Sequence, residues 1–174
     1  ITALRPLFEA DDPNDPNNFR GISLLPCLGK LFCLVINEII MSNLESAELS
    51  EEVLSLLQGG FRRGRGGCEQ SLLFLACILA AKRKRRNAFC AFIDFSKAYD
   101  TVQHDKLWSV LSAINIGPRI LGILRELYRK TSCTVKSEGG EFSDFYEYLV
   151  GVRQGCVLSP AIFNLFINRL VTLI

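Results

Sequence analysis

The segment from 87 to 95, NAFCAFIDF, constrains the fold of this chain more than any other. Residues that alternate along a strand face opposite sides of a sheet, and here both alternating sets are apolar. Asp94 interrupts the apolar run near its end. An ionised carboxylate at the end of a buried strand needs a partner, a metal ion or water to offset its desolvation. The sequence therefore predicts a buried central strand that ends in a candidate functional carboxylate.

Apolar residues at three- and four-residue spacing predict helices around this strand. The predicted helices cover about 28–44, 51–57, 72–79, 107–114 and 118–127, and a last one begins at Ser159. Gly117 can end one helix and Pro118 suits the first turn of the next, while Ser159 is the expected N-cap before Pro160. Hydrophobic residues make up 49% of the 174 residues, enough for a substantial core.

Two β-hairpins complete the predicted fold. One has the turn DDPNDPNN, and the other turns at Glu138, Gly139 and Gly140. Helices packed on a small, mostly antiparallel sheet give an α+β fold. Because the chain starts at Ile1 and its last stretch is strongly apolar, we expect it to be a piece of a larger domain.

Charge and cysteine content narrow the class of protein. The net charge is only +2, but basic residues cluster at 62–65 and 82–86, where a solvated helix end and phosphate contacts are equally good interpretations. Seven cysteines without a CxxC pair predict reduced, buried thiols in an intracellular protein, and give little support for a zinc site. The longest uncharged apolar stretch, 71–81, is shorter than the ~20 residues of a membrane span, so we expect no membrane partner.

Four strings resemble one family, in that family's order. AFIDFSKAYDTVQHDKL is similar to the first palm motif of non-LTR (LINE-type) retrotransposon reverse transcriptases, and GVRQGCVLSPAIFNLFI resembles their next palm motif. NFRGISLLPCLGKLF resembles the fingers motif, and QGGFRRGRGGCEQ the segment between fingers and palm. The resemblance implies a polymerase fragment, with fingers and fingers-to-palm connection at about 1–87 and a partial palm at about 88–174.

The resemblance also implies a catalytic centre. Asp94 matches the family's first catalytic aspartate, and the backbone carbonyl of Phe95 matches a further metal ligand. Two Mg²⁺ ions would activate the primer 3′-hydroxyl and stabilise the leaving pyrophosphate. The implied partners are an RNA template, a DNA primer and deoxynucleoside triphosphates, in the cytoplasm or nucleus. From the residues alone, Asp100 and Asp105 are better explained as helix-start residues than as ligands.

Three residues match the family's nucleotide-binding positions. Tyr99 matches the aromatic residue beneath the incoming sugar, where a ring leaves no space for a 2′-hydroxyl. Arg20 matches an arginine that contacts the triphosphate, although Gly21 stands where the family usually has proline. Gln154 matches a glutamine near the nascent base pair.

Four further residues are expected near the template and primer. Gly155 would let the backbone approach the template closely. Arg62, Arg63 and Arg65 belong to the glycine-rich segment that resembles a template-side loop.

One family motif is absent from the sequence. The third palm motif, an aromatic-alanine pair followed by two aspartates, occurs nowhere in the 174 residues. Magnesium needs several oxygen ligands in near-octahedral geometry, so we expect this chain alone to have no polymerase activity. Two alternatives stay open, a non-catalytic RNA-binding protein that uses the two basic clusters and a decayed element copy without function.

Overall fold

The computed structural model describes residues 2–9, 12–45, 54–55, 57–129, 131–137 and 139–171. Its helices are α1 (Cys27–Glu45), α2 (Gly67–Arg83), α3 (His104–Ala113), α4 (Pro118–Tyr128) and α5 (Ser159–Val171). Its strands are β1 (Thr2–Phe8), β2 (Phe19–Leu24), β3 (Ser132–Val135) and β4 (Tyr146–Glu147). All the predicted helices are confirmed except the short one over 51–57, most of which lies outside the described residues.

The strands form a single sheet in the order β2-β1-β3-β4. β1 pairs with β2 antiparallel, with Phe8 opposite Phe19, and a 3-10 turn at Pro16–Asn18 lies between them. β1 pairs with β3 in parallel, and β3 pairs with β4 antiparallel. The antiparallel pairing of both predicted hairpins is therefore confirmed, although Asp11 and Glu138 of the predicted turns lie outside the described residues. The α+β class with a mostly antiparallel sheet is confirmed as well.

The hydrophobic core is built from one face of each of four helices. Residues three or four positions apart lie on one side of a helix, and those residues are the buried ones. They are Cys33, Ile36, Ile40 and Leu44 of α1, Leu107 and Leu111 of α3, Leu124 and Tyr128 of α4, and Ile162 and Leu165 of α5. Together with Val102, Val152, Cys156 and Leu158, these helix faces form one cluster of buried side chains.

The sequence argument that no segment is long enough to span a membrane does not hold for α1. The window Cys27–Leu44, with a mean hydropathy of 1.5, is long and apolar enough to cross a membrane by length and composition. The sequence argument considered only stretches without charged residues, and this window contains Lys30 and Glu38. A core helix passes the same test, but only 22% of this window is buried, along the face that carries Cys33, Ile36, Ile40 and Leu44.

The buried central strand predicted at 87–95 is wrong for this structure. The segment has no regular secondary structure, and it pairs with no strand among the described residues. Phe89 is 94% exposed and Phe92 86% exposed, and the latter contacts the Phe74 ring of α2 at a centroid distance of 5.8 Å. A strand needs a neighbour for its backbone hydrogen bonds and cover for its apolar faces, and the described residues supply neither. Asp94 is exposed as well, so the argument that its carboxylate needs a partner to offset desolvation does not apply in this structure.

The prediction of buried cysteines is only partly right. All seven are free thiols, but Cys27, Cys68, Cys77 and Cys90 are exposed. Two of these lie on α2, which buries no residue, and Cys90 lies on the uncovered segment. Apolar neighbours in sequence therefore did not ensure burial in the fold.

The loop before α5, residues 148–158, joins the sheet to the turn at 95–100 that follows the 87–95 segment. The Ser23 amide of β2 donates to the Gln154 carbonyl at 2.7 Å, and the Val152 amide donates to the Tyr99 carbonyl at 2.8 Å. Gly155 has φ 96°, and a Cβ there would lie 3.0 Å from the Ser23 carbonyl oxygen. Only glycine fits both the positive φ and this close approach to β2.

We expect Gly155→Ala to destabilise the protein by about 1–2 kcal/mol more than Gly117→Ala, as measured by chemical denaturation. Gly117 has a similar φ of 94° but no atom within 4 Å of an added Cβ. The loss of stability in Gly117→Ala therefore measures the cost of backbone strain alone. The excess cost comes from pushing the loop away from β2. Equal losses in the two variants would contradict the close approach.

Candidate functional site

A cavity of about 490 Å³ lies between the β1–β2 hairpin, the turn at 95–100 and the loop before α5. Its lining residues are Glu9, Phe19, Arg20, Phe61, Phe95, Lys97, Ala98, Tyr99, Asp100, Gln154, Gly155 and Pro160. The three predicted nucleotide-binding residues Arg20, Tyr99 and Gln154 line this one cavity, although they are far apart in sequence. Phe95 and Gly155 line it as well.

Arg20 reaches the cavity from β2. Its guanidinium forms an ion pair with the Glu9 carboxylate at 2.5 Å, and both side chains are about half exposed. The hairpin register explains the pair, because Phe8 is opposite Phe19 and the Glu9 amide donates to the Asn18 carbonyl. Exposed ion pairs are weak, worth about 0.2–1 kcal/mol, so an anionic ligand can displace Glu9.

Lys97 supplies a second cation, which the sequence reasoning missed. Its ammonium donates to the Asn17 side-chain oxygen at 3.3 Å, and its backbone φ is 49°. This hydrogen bond joins the turn at 95–100 to the 3-10 turn of the hairpin. The sequence could have indicated Lys97 as a site residue by its position, because it lies between Asp94 and Tyr99 in the same motif.

Tyr99 forms a wall of the cavity. Its ring packs against the Phe163 ring of α5, with a centroid distance of 4.8 Å and an interplanar angle of 46°. Burial raises the pKa of the Tyr99 phenol, so the hydroxyl stays protonated at neutral pH. The ring is thus held in one orientation by a second aromatic side chain.

Asp100 lines the cavity and does not start a helix, contrary to its interpretation from the sequence, because α3 begins only at His104. Burial raises the pKa of its carboxyl, while the Lys97 charge, a hydrogen bond with Gln154 and the Arg20 charge oppose that rise. Asp100 therefore lies in the same cavity wall as Gln154 and within the field of the two cations. Asp105, in contrast, lies in the first turn of α3, as expected for a helix-start residue.

Asp94 is adjacent to the cavity-lining Phe95 but is not itself among the lining residues. Among the described residues, no group of three or more His, Cys, Asp or Glu side chains could hold a metal ion. Magnesium requires about six oxygen ligands. The described residues therefore do not form a complete magnesium site around Asp94.

The structure does not bring the three predicted template-side arginines to the cavity. Arg62 donates to the Ser55 carbonyl at 3.0 Å, and Arg63 pairs with Glu38 of α1 at 2.8 Å. Arg65 lines a separate, open groove beside α2. Arg62 and Arg63 thus hold the glycine-rich segment against neighbouring parts of the protein.

Comparison with known proteins agrees with the four motifs. Residues 11–174 match the sequence model of the family described as reverse transcriptase (RNA-dependent DNA polymerase). The chain is 28% identical to the RNA-directed DNA polymerase from mobile element jockey of Drosophila funebris over 95% of its length, and spans 17% of that relative. It is 30% identical to the probable RNA-directed DNA polymerase from transposon BS of Drosophila melanogaster over 87% of its length, and spans 16% of it.

The fold is also found among solved structures. Apo telomerase from Candida tropicalis, truncated from its C-terminal domain, superposes with a TM-score of 0.53 at 13% identity, covering 89% of this chain and 36% of that one. At that identity the likeness shows the fold alone. The family match over most of the chain, with relatives from mobile elements, confirms the resemblance drawn from the motifs, and the chain belongs to the reverse transcriptase (RNA-dependent DNA polymerase) family.

Proposed function

We propose that this chain forms the nucleotide-binding part of an RNA-directed DNA polymerase from a non-LTR retrotransposon. The polymerase adds deoxynucleotides to a DNA primer on an RNA template, inside the cell, in the cytoplasm or nucleus. One observation carries the proposal: a single cavity collects Arg20, Tyr99 and Gln154, one from each of three family motifs.

The cavity's chemistry suits a deoxynucleoside triphosphate. Arg20 and Lys97 supply two positive charges for the phosphates, and Arg20 can offer two parallel N–H donors. The Tyr99 ring forms the surface beneath the sugar. Gln154 also lines the cavity, and its side chain would offer amide groups to the base pair that forms there.

Within this proposal Asp94 and the Phe95 carbonyl hold part of a two-ion Mg²⁺ centre. Magnesium would supply charge stabilisation for phosphoryl transfer. The remaining oxygen ligands come from outside the described residues, which contain no complete metal cluster. The 174 residues alone are therefore proposed to be inactive, and the tests below use the parent protein.

Asp94→Asn should reduce primer extension by the parent protein by roughly 10³-fold or more, because the amide cannot supply the negative charge of a metal ligand. Asp105→Asn is the matched control, since that carboxylate lies in the first turn of α3 and should be dispensable. Extension that survives Asp94→Asn would reject the ligand assignment. Salt-sensitive RNA binding without any extension by the unmodified protein would favour a non-catalytic RNA-binding role.

Tyr99→Val should admit ribonucleotides, since it removes the ring that excludes a 2′-hydroxyl. Tyr99→Phe keeps the ring and its packing on Phe163, and should keep the selectivity for deoxynucleotides. The measurement is the ratio of kcat/KM for deoxy- and ribonucleotides in primer extension. An unchanged ratio in the valine variant would exclude Tyr99 as the sugar gate.

Arg20→Gln and Glu9→Gln should move KM for the nucleotide in opposite directions. Loss of the Arg20 charge should raise KM about 10- to 100-fold, the range expected for a charge-assisted hydrogen bond. Loss of the Glu9 charge should lower KM by at most about fivefold, because the competing ion pair is exposed. KM is measured by steady-state kinetics. A KM that rises in Glu9→Gln, or that is unchanged in both variants, would contradict competition between Glu9 and the triphosphate for Arg20.

A further inference from the structure

Phe61 has a backbone conformation that phenylalanine rarely adopts. Its φ is 52°, in the left-handed region where a Cβ atom crowds the backbone carbonyl that follows it. Glycine avoids this crowding, and Gly59 and Gly60 stand directly before Phe61 in the chain. The conformational cost therefore falls on the one aromatic residue of a glycine-rich segment.

Hydrogen bonds on both sides of Phe61 hold it in this conformation. Before it, the side-chain amide of Asn164 on α5 donates to the Gly60 carbonyl at 2.6 Å. After it, the Arg62 guanidinium donates to the Ser55 carbonyl at 3.0 Å. Asn164 is buried, so its amide is unfavourable without such a partner. A strained residue persists where its surroundings impose the conformation, and such residues are frequent at functional sites.

The Phe61 ring borders the candidate nucleotide cavity without being covered by protein. Phe61 is 66% exposed, and it lines the cavity together with Tyr99 and Gln154. Within the described part of the chain it stacks on no other aromatic ring, whereas the Tyr99 ring packs against Phe163. Burial of the ring therefore does not explain the strain, and an aromatic surface is left open at the cavity.

An open aromatic ring beside two cations fits the parts of a nucleotide. Arg20 and Lys97 line the same cavity and can neutralise phosphates. A nucleobase has a flat π face that stacks on aromatic side chains whatever its sequence. Purines make more atomic contacts with such a ring than pyrimidines do, so they gain more from it.

We propose that Phe61 is a stacking surface for a nucleobase in the cavity, supplied either by the incoming nucleotide or by the template residue that pairs with it. The inference rests on the proposed nucleotide-binding function, and adds a residue that acts on the base rather than on the phosphates or the sugar. The hydrogen bonds from Asn164 and Arg62 fix the segment before the ligand binds, so that less conformational freedom is lost on binding.

The test is primer extension by the parent protein carrying Phe61→Asn, with dATP opposite uridine and with dTTP opposite adenosine. Asparagine tolerates a positive φ, so the variant removes the ring and keeps the backbone conformation. We expect kcat/KM to fall about 10-fold where a purine lies on Phe61 and at most about threefold in the other pair, as for the loss of one base–aromatic contact. A larger loss with dATP would assign the stacked base to the incoming nucleotide, and a larger loss with dTTP would assign it to the template.

Phe61→Tyr is the matched control, because it keeps the ring and should change kcat/KM by less than about twofold. Equal losses for the two pairs in Phe61→Asn, or no loss, would overturn the inference, since a purely structural role of the segment is insensitive to the size of the base. If the unmodified protein extends no primer, the proposed function fails and the inference fails with it.

Thermal denaturation separates the proposed role from a role in packing. Phe61→Asn relieves the backbone strain and removes a ring that is mostly exposed, so its Tm should be no lower than that of the unmodified protein. A lower Tm would show that the ring stabilises the fold, and would overturn the inference.

Discussion

The buried guanidinium of Arg153 fixes the loop on which the candidate site depends. Its Nη2 donates to the Leu127 carbonyl near the end of α4 and to the Thr131 hydroxyl at 2.6 Å, and its central carbon lies 5.0 Å from the Tyr128 ring centroid. A buried cation is costly unless it is hydrogen-bonded, and carbonyls at a helix C-terminus carry partial negative charge. Arg153 therefore ties the loop to the end of α4, and Gln154 follows it directly in the chain.

From that anchor the same loop reaches both other walls of the cavity. Its amides at Gly151 and Val152 donate to the carbonyls of Val102 and Tyr99, and the Gln154 carbonyl accepts from Ser23 of β2. These are backbone bonds, so they fix distances between the hairpin and the 95–100 turn without depending on side-chain rotamers. A cavity formed by remote segments thereby has a defined shape, and Gly155 marks the point of closest approach.

Local patterns were sufficient for the helices and hairpins, because apolar spacing and turn residues act over a few neighbours. They failed at 87–95, where alternation showed that both faces need cover but could not show whether a partner strand is present. The ion pair between Glu9 and Arg20 depends on hairpin register, and it has no signal in the spacing of the residues. The Arg62 guanidinium donates to the Ser55 backbone carbonyl, a contact that composition does not indicate.

The exposure of the 87–95 segment and the incomplete metal site at Asp94 have one physical cause, which is the access of water to both. Asp94 lies among exposed apolar residues such as Ile93, at 68% exposure, beside the exposed face of α2. In water an isolated carboxylate is well hydrated and holds a divalent ion weakly, because the high dielectric constant screens the attraction. A structure that covers the apolar faces of this segment would also displace water from Asp94 and strengthen its interaction with a cation. Burial of the segment and tighter cation binding at Asp94 are therefore coupled, because both depend on the exclusion of water.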